Sequence, residues 1–451
     1  MPFFMTQGFG AFNDNVFKNA LAALLVFESS KMAGLNTDQL VNFSAMVFIL
    51  PFFLFSALFG QFADKYEKSM QIRRVKLLEV VIMLLATLGF WLDNVPLLMF
   101  VLFLLGLQST IFGPIKYGIL PRILKREELV GGNALIEMGT FVAILGGTIA
   151  GPQLAGIEAS WPYWASAACL AVAVTGYLFS LRIPPSPAVA PDLEISWNIF
   201  AETVRNMKFI NQNRTVLNSV LGISWFWFFG AIFLVQIPSY TQNVLGGDKH
   251  LMSALLALFI IGISTGSLLC ERLSGKQVEI GLVPFGAIGL TLFGLDLYFA
   301  SPEAPVAGIT VMEFLADGNN WRIVIDLLLI GTFGGFYIVP LYALVQSRSE
   351  QDHLSRVIAG LNILNSLFMV VAAVSAMLIL GPAGLSIPEL FLISAVLNAV
   401  VAVYIFTLVP EFLMRFLVWI LIHTIYRVKV TGMDHIPEEG PVIVASNHVS
   451  F

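Results

Sequence analysis

Asp14 and Lys18 stand inside Gly10–Glu28, GAFNDNVFKNALAALLVFE, a run that is otherwise apolar and long enough for a membrane helix. An ionisable side chain at bilayer depth costs roughly 2.5–3.5 kcal/mol on insertion scales, so it faces a water-filled path or a partner charge. Four residues apart, the two share a helix face and are able to pair. Two readings are open: a local ion pair near a helix end, or one wall of a polar cavity that carries cargo across a membrane. Lys116 and Glu137 are further charges set in apolar surroundings. The chemistry this suggests is passage of a polar group, not bond-breaking. Cys169 and Cys270 lie in apolar runs without ligand-like spacing, which argues against a disulfide framework and a zinc site. No cofactor is called for.

Composition says what must hold these residues. The chain is 57% hydrophobic and only 12% charged, where a soluble domain carries about 25% charged residues, so its solvent is lipid. With 38 Phe against 24 Lys+Arg it offers nucleic acid no basic patch. The N-terminus lacks the basic region and cleavage site of a secretory signal, so the first apolar segment is taken as retained. Runs of about 20 apolar residues place spans near 8–29, 40–63, 75–92, 95–118, 132–157, 161–182, 215–242, 250–271, 278–300, 321–346, 356–380 and 387–409. The expectation is an all-α membrane protein of about 12 transmembrane helices.

Lys and Arg set the orientation. The connection after the second span holds Lys65, Lys68, Arg73, Arg74 and Lys76, and those after later even-numbered spans are also basic. Odd-numbered connections show only Lys31, Lys249 and Arg322. Both termini are therefore expected in the cytoplasm. The longest internal loop, 183–214, separates two six-helix halves, 1–182 and 215–410. It opens with the stiff IPPSPAVAP. It then places Trp197, Phe200, Val204 and Met207 at helical spacing, the pattern of an amphipathic helix along the inner membrane face. The halves echo one another: Gly60–Lys68 with Asp64 follows the second span, and Gly266–Lys276 with Glu271 and Arg272 follows the eighth. Internal duplication of this kind marks transporters whose halves rock about a central site.

GQFADKYEKSMQIRR (60–74) resembles the signature loop of the major facilitator superfamily, G-x-L-a-D-r-x-G-r-k, with Glu67 standing where that pattern has glycine. The resemblance implies that Asp64 pairs with basic residues to hold a cytoplasmic gate shut, with Lys65, Arg73, Glu271 and Arg272 as its companions. Gly147-Thr-Ile-Ala-Gly151-Pro152 is similar to the family's G-x-x-x-G-P packing motif, and close helix contact is the preferred reading of it. FNDNVFKNA (12–20), FGPIKYGILP (112–121) and GGNALIEMGTF (131–141) together resemble the lysophospholipid transporter (LplT) branch over residues 1–410. That resemblance implies flipping of lysophosphatidylethanolamine-type lipids to the inner leaflet of a bacterial inner membrane. Asp14, Asn15, Lys18, Lys116 and Glu137 would then form a polar site at one depth. Phosphate would meet Lys116 or Lys18, and ammonium would meet Asp14 or Glu137. Lys116 is equally able to snorkel to the interface. The alternative activity is a proton-coupled antiporter of a small solute or drug.

Trp225 and Trp227 either pack the seventh helix or line an acyl-chain half-cavity; Asn362 and Asn365 are polar contacts or interhelical bonds. Asp326 is placed to pair with Arg322 at i, i+4. After Pro410 the sequence changes: Phe412–Ile425 reads as an interfacial helix, and RVKVTGMDHIPEEGPVIVASNHVSF as the start of a soluble fold. The latter resembles the opening of an α/β glycerolipid acyltransferase domain, with Asn447-His448 matching its N-H-x-x-x-x-D box and His448 as the general base. This implies a longer protein whose 411–451 segment begins an acyltransferase of the 1-acylglycerol-phosphate or 2-acylglycerophosphoethanolamine type, with acyl carrier protein as a partner. The segment itself, lacking the box aspartate, is expected to be inactive.

Overall fold

Caps and prolines set where each apolar run starts to coil. Pro2 opens the first helix, where a missing amide proton costs nothing. Asn94 accepts the Leu97 amide at 2.9 Å, and Asp248 accepts those of His250 and Leu251 at 3.0 and 2.8 Å. The computed structural model describes residues 1–27, 37–155, 161–274, 281–408 and 421. In the first half lie α1 Pro2–Phe27, α2 Thr37–Lys65, α3 Lys68–Trp91, α4 Val95–Gly118, α5 Leu129–Ala155 and α6 Trp161–Ser180. The second half holds α7 Arg214–Asn243, α8 Lys249–Leu273, α9 Leu282–Ala300, α10 Trp321–Arg348, α11 Leu354–Leu380 and α12 Ile387–Leu408. Ten of these are long and apolar enough to cross a membrane. The other two, α1 and α3, are long but carry ionisable residues.

Two compact units divide the chain, Met1–Ala402 and Val403–Phe451. In the second, the last residues of α12 and Leu421 are described; the expected interfacial helix and the box residue His448 lie outside the described residues. The linker between the halves does contain a helix, Ile199–Gln212.

One boundary differs from expectation in a way that matters. The third span was expected at 75–92, with Lys68, Arg73, Arg74 and Lys76 in a loop. The helix instead begins at Lys68, because Glu67 accepts the Ser69 and Met70 amides at 3.0 and 2.6 Å and so nucleates it early. Lys68 and Lys76 are consequently buried within the helix.

Packing in the first half joins Phe17, Leu21 and Leu24 of α1 to Met83 and Phe90 of α3, Leu98 and Leu102 of α4, and Cys169 of α6. Phe17 and Phe90 sit 5.5 Å apart, centroid to centroid. In the second half Phe233 stacks on Phe391 at 4.5 Å. Lipid tails are as apolar as these side chains, so close van der Waals fit supplies the association. Gly147 shows the tolerance. A Cβ there would fall 2.5 Å from Asn15 Cβ and 2.8 Å from the Val16 backbone nitrogen.

Gly147→Leu is therefore expected to cost more than the 1–3 kcal/mol usual for overpacking, because backbone rather than a rotamer must move. It should abolish the monodisperse peak in size-exclusion chromatography. Gly8→Ala, which meets open space, should leave that peak unchanged.

Candidate functional site

A cavity of ≈ 270 Å³ lies between the halves. Gln7, Asp14, Asn15 and Lys18 of α1, Lys76 of α3, and Ser109 and Lys116 of α4 line it from one side. Trp227 of α7, Tyr342 of α10, and Asn362, Asn365 and Met369 of α11 line it from the other. All of its charges come from the first half.

The charged groups fall on two levels. On the upper one Ser109 donates to Asp14 Oδ2 at 2.6 Å, and Lys18 Nζ lies 5.6 Å from the Phe48 ring centroid. Lys18 makes no hydrogen bond or ion pair among the described residues, so of the two readings the local Asp14–Lys18 pair does not close. On the lower level Lys116 Nζ donates to Thr140 at 2.9 Å, and Thr140 donates to Gln7 Oε1 at 3.2 Å. Gln7 and Asp14 are seven residues apart on α1, as are Ser109 and Lys116 on α4. At 1.5 Å per residue the levels stand about 10 Å apart. A single common depth for Asp14, Lys18, Lys116 and Glu137 is not what the helices build.

Glu137 and Trp225 lie off the cavity. Glu137 is wholly buried and accepts the Tyr117 hydroxyl at 2.6 Å, its other oxygen having no hydrogen-bond partner among the described residues. Trp225 turns to α12, where its indole donates to Asn398 at 2.9 Å. Trp227 does face the cavity, stacked on Phe141 at 6.0 Å. Asn15 lines it while donating to its own helix at Ala11. Asp326 does not pair with Arg322, which forms a two-pronged pair with Asp296 instead.

Sequence reasoning missed the network behind Asp14. Lys76 Nζ and Glu79 Oε2 meet at 2.7 Å with 1% exposure each. Asn13 and Gln108 donate to the same carboxylate at 3.0 and 3.2 Å. The signal was present: Lys76 and Glu79 stand three apart in an apolar run, just as Asp14 and Lys18 stand four apart.

Below the lower level the halves are tied together at the end rich in Lys and Arg. Tyr117 stacks on Tyr342 at 4.2 Å, and Asn133 donates to Gln346 at 2.6 Å. Asp64 accepts the Ser355 amide and Arg356 Nε, both at 3.1 Å, with Lys68 Nζ 4.0 Å away. Glu271 makes the counterpart contact: its carboxylate abuts Gly131 in the first turn of α5, where a Cβ would fall 2.6 Å from it. A carboxylate is favoured at a helix N-terminus. Lys65 and Arg73 take other roles. Lys65 lies over the Tyr66 ring, and Arg73 donates to Ile183 O at 3.0 Å. Arg272 is exposed.

The linker joins this assembly. Val189 and Ala190 amides donate to Asp64 O at 3.1 and 3.0 Å, Ser186 N donates to Glu67 at 2.7 Å, and Gln61 exchanges two bonds with Ser196. Farther on, Phe209 stacks on His353 at 4.2 Å and lies under the Arg356 guanidinium at 4.9 Å. Partial burial pushes the Glu67 carboxyl up, but the Ser186, Met70 and Ser69 amides outweigh it and hold it below its ordinary value.

Comparison with known proteins adds to this geometry. The profile described as Major Facilitator Superfamily matches residues 3–373. The Lysophospholipid transporter LplT of Photorhabdus laumondii is 27% identical over 351 residues, 77% of this chain and 79% of that protein. The protein of the same name from Escherichia coli O157:H7 is 28% identical over 356 residues, 77% and 80%. Among solved structures, the major facilitator transporter FucP in its outward conformation superposes with TM-score 0.62 at 12% identity, covering 88% of this chain and 97% of that one. The proton:xylose symporter XylE does so with TM-score 0.60 at 14% identity, covering 90% and 96%.

Two outcomes follow for stability. Glu79→Ala leaves the Lys76 ammonium buried and unpaired, a loss of about 3–5 kcal/mol, read as a lowered thermal midpoint. Joint Lys76→Met and Glu79→Met should recover most of it. Glu67, with its folded pKa depressed, stabilises fully above its unfolded value of 4.5, and that contribution is lost as pH falls through the lower folded value. Thermal melts should show an acid-side decline that is shallower in Glu67→Gln.

Proposed function

The chain belongs to the major facilitator superfamily, and on that premise we propose that it transports lysophospholipids, carrying their head group past Asp14, Lys18 and Lys116. One observation supports this most: the cavity is lopsided. Its charges all sit on the first half, whereas the second offers uncharged groups, Trp227, Tyr342 and Met369 beside the amides Asn362 and Asn365. A single-chain amphiphile with a zwitterionic head matches both walls at once. Relatives bearing the lysophospholipid transporter name point the same way.

In this reading the phosphate is received by Lys18, whose ammonium makes no hydrogen bond among the described residues, and passed to Lys116 on the lower level. The amine meets Asp14, whose Oδ1 has no partner among the described residues. The acyl chain lies toward Trp227. We take α1 and α3 as spans alongside the ten more apolar helices, their charges turned to the cavity or to one another. Basic connections put both termini in the cytoplasm of a bacterial cell, in its inner membrane. The Asp64–Arg356 end is then the cytoplasmic gate, and cargo moves from the outer leaflet to the inner one. A facilitator-type antiporter of a small solute is the second reading, favoured by the same unpartnered Asp14 oxygen, which suits a cycling proton.

Uptake of labelled lysophosphatidylethanolamine into proteoliposomes distinguishes them. Loss of a hydrogen bond to a charged group is worth about 1.5–3 kcal/mol, so Lys116→Ala and Asp14→Asn should each lower uptake by roughly tenfold or more. Undiminished uptake at normal protein levels rejects the site. Strict dependence on a proton gradient without lysolipid competition favours the antiporter.

A further inference from the structure

The linker helix Ile199–Gln212 is turned the wrong way round for a helix packed on a protein in water. Glu202 and Asn206 are wholly buried against the bundle, while Phe200 is 83% and Val204 55% exposed, with Trp197 just before them at 71%. Phe200 and Val204 lie one turn apart on the helix, and Trp197, just before it, stands edge-on to Phe62 at 6.0 Å. Gly360 of α11 receives the buried face, where a Cβ would meet Ile210 and Asn206; Met207, expected in the apolar stripe, also reaches back to Gly360. Arg205 and Lys208 of the linker helix are exposed, as is Arg214 at the start of α7. Arg205 is held by Glu202 at 2.8 Å, which leaves half of its side chain accessible.

An exposed apolar patch with basic side chains on the same helix suits the boundary between acyl chains and anionic head groups. We infer that this face seats on the anionic surface of the cytoplasmic leaflet, and that seating there steadies the closed gate. The coupling is direct. The same helix carries Phe209 against Arg356 and His353, and the segment before it is bonded to Gln61, Asp64 and Glu67. Lipid that fixes the helix thus fixes the side chain under the gate arginine. The inference rests on the orientation proposed above and is indifferent to the cargo.

The test uses the full chain with Cys169 and Cys270 replaced by alanine and Phe200→Cys carrying an environment-sensitive fluorophore. Position 200 faces outward, so its substitution leaves packing intact. In nanodiscs, phosphatidylglycerol added to phosphatidylcholine should lower quenching by neutral acrylamide severalfold. Arg205→Glu with Lys208→Glu should remove that difference, since each basic residue at the surface is worth roughly fivefold in affinity for anionic lipid. Equal quenching with and without phosphatidylglycerol overturns the inference. So does protection that survives the charge reversals, or that appears only with two copies per disc. A second probe isolates the orientation: Asp192→Cys, in the exposed linker, should react with an impermeant maleimide only after the inner membrane is opened. Reaction in intact cells overturns the orientation itself.

Discussion

Lys76 and Glu79 hold one another at 2.7 Å with 1% exposure each, and the charged helix α3 can lie within an apolar bundle because they do. Neither charge is affordable alone at that depth. Together, with Asn13 and Gln108 donating to the carboxylate, they form a closed network. A buried pair of this kind adds little net stability, since desolvation offsets much of the attraction. What it does supply is register. It fixes α3 against α1 and α4 and cancels the Lys76 charge, so that Asp14, Lys18 and Lys116 are left to set the field of the cavity.

The closed end follows a different logic. Its ties are many in kind and modest in strength: a tyrosine stack, an Asn133–Gln346 amide pair, a carboxylate on an arginine and an amide, and a second carboxylate against a helix terminus. Hydrogen bonds contribute about 0.5–1.5 kcal/mol each, somewhat more when charged. Such a set keeps two halves together and still lets them part. The opposition of Asp64 to α11 and Glu271 to α5 repeats across the halves, as expected where each half offers the other an acid and a helix start.

Much of this was written in the sequence. Apolar length gave the helices, and the alternation of basic and neutral connections gave the sidedness argument. Charge inside an apolar run singled out Asp14 and Lys18. What escaped was set by contacts no run of letters contains. The start of α3 depends on Glu67 acting as a cap, and that acid replaces the glycine of the family pattern; read as a loop, the segment hid Lys68 and Lys76. The two levels of the site escaped because depth was counted from helix ends. Side-chain reach decides it instead: Lys116 to Thr140 below, Asp14 to Ser109 above. Glu137 looked like a ligand for cargo because a buried acid needs a partner, and the structure gives it Tyr117.

The lopsided cavity also constrains how the halves move. If both walls carried charge, a bound head group would be gripped from two sides and each excursion would have to break one grip. Here the charged wall is a single packed unit, tied internally by the Lys76–Glu79 network and by α1 lying close on α5. The other wall is uncharged: its aromatic faces and thioether hold an apolar chain without direction or fixed geometry, and Asn362 and Asn365 add neutral polar contacts. On the lysolipid reading proposed above, a head group would stay with the first half while the second slides past the chain. The two levels, about 10 Å apart on the same half, would then be successive stations along one wall. Rocking would have only to uncover them in turn, first Asp14 and Lys18, then Lys116 above the Tyr117–Tyr342 stack.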